Sequence, residues 1–147
     1  MKTENETTRS AYDILLAVLA DRGCRILGDE QTEEHDEDVR RVAFIYSGVT
    51  FVALAATGSQ FFILRFSIDT EIKDQLAILR LANNINAYTI FNASVITPDE
   101  DQSQWLVINY KTLSIASDHI IKLLDDMLQL YLDVENWLRQ LETTDKQ

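Results

Sequence analysis

The chain has 147 residues, 46 % of them hydrophobic, and its 24 acidic against 13 basic residues leave a formal net charge of −11. That length fits one domain able to bury roughly 70 % of its unfolded surface, and the charge repels nucleic-acid phosphates and anionic lipid headgroups alike. Cys24 is the only cysteine, so an intramolecular disulfide is excluded and a reducing compartment is the simpler setting.

The first residues, MKTENETTRS, contain no apolar stretch of a secretory signal, and no apolar run reaches the ~20 residues of a membrane span. A cytoplasmic protein without membrane contact is expected. Residues 8 to 22 carry a helical stripe of Tyr12, Leu15, Leu16 and Leu19, with Ile14 and Val18 on its flank, and Gly23 stops it. CRILGDEQTEEHDED starts as a short strand and dissolves into seven carboxylates between Asp29 and Asp38, which reads as a solvated loop. From Arg41 the period changes to two. RVAFIY, VTFVALAA and FFILRF form three strands of an antiparallel meander, closed by Ser47-Gly48, by Thr57-Gly58-Ser59 and by Asp69-Thr70. Residues 71 to 86 return to helical spacing. TIFNASVI and SQWLVINY are two further strands joined by the turn Pro98-Asp99-Glu100-Asp101-Gln102. A long helix from Ser117 to about Leu141 closes the chain. The whole is expected to form one domain, ordered over about residues 8 to 142.

Three asparagines, Asn83, Asn84 and Asn86, crowd the end of the second helix in LRLANNINAYTI. Asn83 and Asn86 continue the stripe Ile72, Leu76, Leu79, so both are expected to face the core at the last turn. That turn leaves carbonyls without intrahelical partners, and asparagine tolerates the left-handed conformation that ends a helix. Asn86 is therefore expected to end the helix and Asn83 to bond into the helix-to-strand connection, in preference to a ligand-binding amide pair.

No pattern of catalytic residues emerges. The acidic stretch lacks the D-x-[DN]-x-[DN]-G spacing of a calcium loop, and one cysteine with two distant histidines, His35 and His119, gives no zinc spacing. No G-x-S-x-G elbow appears, and SGVTFV fits a hairpin better than a nucleophile turn. No cofactor, metal or enzymatic activity is expected.

The order helix, three strands, helix, two strands, helix is that of an α+β, two-layer secretion-chaperone-like domain with an antiparallel sheet. From about Tyr12 to Leu141 the chain resembles the YbjN family of bacterial regulators, which shares that fold with type III secretion chaperones. The resemblance rests on Gly23 followed by Asp29 and Glu30, on FIYSGVTFVA and FFILRF, and on the LANNIN helix end. PDEDQ before the long last helix is similar too. The acidic insertion before the meander is longer than the family pattern. The resemblance implies a non-catalytic protein that works through protein contacts, often as a homodimer.

The residues lean the same way. VTFVALAA is apolar on both alternations and FFILRF nearly so, whereas an antiparallel sheet ordinarily keeps one polar face. A second copy or the closing helix is expected to cover the surplus. The last helix carries Ile120, Leu124, Met127, Tyr131, Val134, Leu138 and Leu141 at heptad-like spacing beside Leu123, Leu130 and Trp137, wider than one seam requires. Phe61, Ile63, Trp105 and Val107 lie on apolar alternations of strands expected near sheet edges and are named as partner-groove residues. The functional expectation is a chaperone-like or regulatory protein-binding module, the alternative a small-molecule sensor with a pocket between helices and sheet.

Overall fold

In the computed structural model, residues 9–34, 37–97 and 103–145 are described. Three helices and six strands follow one another as α1 (Ala11–Asp21), β1 (Arg25–Glu34), β2 (Glu37–Tyr46), β3 (Val49–Ala56), β4 (Phe62–Asp69), α2 (Gln75–Tyr88), β5 (Asn92–Ile96), β6 (Trp105–Thr112) and α3 (Ser117–Asp145). The strands make a six-stranded sheet in the order β1-β2-β3-β4-β6-β5, so the fold is α+β with β1 and β5 at the edges. The β1/β2, β2/β3 and β5/β6 pairs are antiparallel.

One strand runs much further than expected. The short strand expected at its start continues through the acidic part read as a solvated loop, giving β1, ten residues long, paired with β2 from Arg25↔Ile45 to Glu34↔Glu37 with a bulge at Leu27. Its backbone ladder needs no apolar side chains, because an edge strand open to water tolerates charge and is often protected by it. His35 and Asp36, in the middle of the acidic run, lie outside the described residues, as does the turn Pro98–Gln102.

The chain packs as two compact units, residues 1–64 with 111–128 and residues 65–110 with 129–147. In the first, Ser10 caps α1 by accepting from the Asp13 amide at 3.1 Å. The helix ends as its glycine predicts. Gly23 sits at φ +65°, donating to the Ala20 carbonyl, and Cys24 donates to Leu19, the paired bonds of a Schellman ending. Ala11, Ile14, Leu15, Val18 and Leu19 are buried and α1 packs on β3.

The turn between β2 and β3 has Ser47 at φ 49° and Gly48 at φ 80°, the left-handed pair that matches strand twist in a tight hairpin. It sets the register that stacks Phe44 on Phe51, ring centroids 5.9 Å apart. Both faces of β3 are closed near its end. Ala53 and Ala55 point one way, while Leu54 and Ala56 join Val39, Phe61 and Ile63 in a buried cluster on the other. The surplus apolar alternation noted in the sequence is thus taken up at this end of β3.

In the second unit Phe66 meets Tyr131 edge-on at 5.7 Å and Phe91 meets Tyr110 at 6.3 Å. Thr70 and Gln104 are its buried polar residues. The Thr70 hydroxyl donates to the Gln104 carbonyl at 2.7 Å and accepts from the Ile72 amide, while Gln104 N–H donates to Ile72 at 2.9 Å. Glu71 adopts φ 59°, a conformation supported by its amide donating to Asp69 Oδ1 at 3.0 Å. The fully buried Phe66 contributes about 1.5–3 kcal/mol by its burial.

α2 exposes the stripe expected to be buried. Its core residues are Ile78, Leu81, Ala82 and Ile85, while Leu76, Leu79 and Asn83 face solvent. Both stripes are apolar in their first two turns, so periodicity alone did not separate them. Along α3 the heptad-like set is buried from Ile120 to Leu138 except the half-buried Tyr131, and Trp137 turns outward.

A polar cluster ties α1 to the β1/β2 hairpin. The Tyr12 hydroxyl donates to Asp29 Oδ2 at 2.6 Å, Arg40 Nε donates to Asp29 Oδ1 at 2.7 Å, and the guanidinium lies 5.6 Å over the Tyr12 ring. The bond to Asp29, then partial burial, raises the Tyr12 phenol above its ordinary range. A raised phenol pKa favours the protonated group in the fold, so its stabilisation is complete below the unfolded value near 10 and fades as pH climbs through the folded one. Tyr12→Phe is expected to cost about 0.5–1 kcal/mol at pH 7 and less above pH 10, measured by urea unfolding at both. A cost unchanged between the two would place its origin in packing instead.

Candidate functional site

The two edges of the sheet are treated differently. At β5, the Asn86 side chain reaches from α2 and pairs with Ala93 in both directions: its Nδ2 donates to the Ala93 carbonyl at 2.9 Å and its Oδ1 accepts from the Ala93 amide at 2.7 Å. A primary amide has the same donor–acceptor pair as a peptide group, so Asn86 acts as a one-residue substitute for a neighbouring strand. α2 itself packs against β5.

This corrects the reading of the asparagines. Helix α2 runs past Asn86 to Tyr88, where the Thr89 amide and hydroxyl both bond the Ile85 carbonyl, so Thr89 supplies the ending. The helix-to-strand bond belongs to Asn86, and Asn83 is exposed. One helical turn separates the positions, and only the later one reaches the strand.

At β1 no described strand pairs with the outer side. The strand reads RILGDEQTEE, and its bulge leaves Ile26 and Leu27 exposed beside the edge. The register sets Glu30 opposite Arg41 and Gln31 opposite Arg40. Arg40 bonds Asp29 and, at 3.3 Å, Gln31.

The named groove residues lie elsewhere. Phe61 immediately precedes β4, and Ile63 lies on it, while Trp105 and Val107 lie on β6. Both strands are interior to the sheet, so none of the four borders an edge strand's open side. Phe61, Ile63 and Val107 are 3 %, 8 % and 8 % exposed, and Lys111 stands 5.6 Å over the Phe61 ring. Only Trp105, at 36 %, offers surface. What covers these residues was not legible without the strand order.

A pocket of about 430 Å³ opens between α2 and α3, lined by Ala77, Arg80, Leu81 and Asn84 from the first and Trp137, Gln140 and Leu141 from the second. Sequence reasoning missed it. The available signal was Arg80 and Asn84 four residues apart on one helix, which share a side, together with a tryptophan off the main seam of α3. Cys24 is half-buried and its thiol is pushed up by that burial, which suits a packed residue better than a nucleophile.

No protein-family profile matches the chain, and no curated protein does. Among solved structures, it is similar to an uncharacterized protein from Methanothermobacter thermautotrophicus, with a TM-score of 0.63 at 8 % identity over 88 % of this chain and 97 % of that one. It is also aligned with YbjN from E. coli, with a TM-score of 0.42 at 13 % identity over 85 % of this chain and 89 % of that one. The first likeness is one of fold. No helix among the described residues is long and apolar enough to cross a membrane.

Asn86→Ala removes both bonds to Ala93 and is expected to lower stability by about 1–2 kcal/mol, while Asn83→Ala stays within about 0.5 kcal/mol of the parent. Chemical denaturation of the two variants side by side checks this. Equal effects would contradict the assignment of the clasp to Asn86.

Proposed function

We propose that the chain is a non-catalytic, YbjN-like protein-binding module of the cytoplasm, chaperone-like or regulatory, that takes an extended basic segment of another protein along the outer side of β1. The observation that supports it is the open ten-residue edge of β1, with its run of carboxylates. An added strand would gain backbone hydrogen bonds from that edge. Its lysines or arginines would complement the acidic sequence of the strand, and the exposed Ile26 and Leu27 would supply apolar contact. The net charge of −11 would steer such a segment in from a distance.

The same carboxylates oppose pairing of two β1 edges from two copies, since they would bring like charges together. A homodimer would instead use exposed apolar residues such as Leu76 and Leu79 on α2. The secretion-chaperone class is carried here by the sequence resemblance.

The test is a pair of extended eight-residue peptides, one alternating Lys and Val, the other Glu and Val, titrated into the full chain at low salt with backbone amide shifts recorded by NMR. The basic peptide is expected to shift β1 amides, weakening as salt rises and weakening further in Glu30→Lys. The acidic peptide is expected to do nothing. Shifts absent from β1, or equal for both peptides, would defeat the proposal.

A further inference from the structure

The pocket between α2 and α3 carries a chemistry that the β1 edge does not. Arg80 is the only ionisable residue among the described residues lining it, in a chain whose net charge is −11. Neither the Arg80 nor the Asn84 side chain has a hydrogen-bond or ion-pair partner among the described residues. Their four-residue spacing puts a guanidinium fork and a primary amide on the same side of α2. Across from them, Trp137 is 38 % exposed, a large indole left partly uncovered at the pocket rather than packed away. Leu81, Leu141 and Ala77 supply the rest of the apolar lining.

We propose that this pocket binds a small organic carboxylate with a flat apolar body. The Arg80 fork matches the two oxygens of a carboxylate, and the Asn84 amide adds a donor beside it. The indole of Trp137 offers a flat apolar surface to the ligand's body. A volume of about 430 Å³ is in the range of small-molecule sites and holds a two-ring acid with room to spare. A single guanidinium in an acidic protein balances one negative charge, which favours a monoanion over a phosphate dianion. The inference is independent of β1 and of any protein partner.

Calorimetric titration of the full chain with 2-naphthylacetate and with its neutral primary amide, 2-naphthylacetamide, tests it. The two probes share a body and differ in charge. The acid is expected to bind about tenfold or more tightly than the amide. Arg80→Gln should erase that preference while leaving the amide's affinity within about twofold, because Arg80 is exposed on a helix surface and its replacement is a good helix former. Trp137→Leu should weaken both probes together. Equal binding of acid and amide to the parent chain, a preference that survives Arg80→Gln, or no saturation by either probe up to about 1 mM would overturn the proposal.

Discussion

An open sheet ends in two rows of backbone N–H and C=O groups that no further strand pairs with, and in this chain each row meets that constraint in its own way. At β5 a side chain closes part of the row: Asn86 makes two bonds to the peptide groups of Ala93. A helix packed on that strand makes the arrangement specific, because α2 must stop where Asn86 can reach, and Thr89 stops it there. At β1 charge does the work instead. Carboxylates in the strand's sequence disfavour pairing of two identical edges, and a partner of opposite charge is the occupant we propose along that row.

The contrast explains why some elements were legible in the sequence. The tight hairpin of β2 and β3 was readable because Ser47-Gly48 takes the left-handed conformations its twist requires, and β3 occupies the span its alternation marks. The end of α1 was readable because Gly23 is the residue type a Schellman ending prefers. α3 announces itself by seven apolar residues at heptad-like spacing. In each of these the signal is local.

What was not legible depends on pairing across the chain. Beyond its first residues β1 carries no apolar side chain to mark a strand, and only its register with β2 defines its length. Phe61, Ile63 and Val107 look like groove residues on alternation, yet interior strands and a small second-face cluster enclose the first two, and the strand order puts Val107 away from an edge. Asn83 and Asn86 are indistinguishable by type, and three residues along a helix decide which one meets β5. The Arg80–Asn84–Trp137 pocket joins residues more than fifty positions apart, so no linear motif announces it. The proposed binding surfaces are thus products of topology, the core elements mostly of periodicity.

One edge is closed in part by a side chain and the other is open, and amide hydrogen exchange on the native chain reads both at once. The Ala93 amide should be protected to a degree comparable with interior strand amides such as Ile108, while slow and fast amides alternate along β1, the fast ones being those on its outer side. A rapidly exchanging Ala93, or uniform protection along β1, would contradict it.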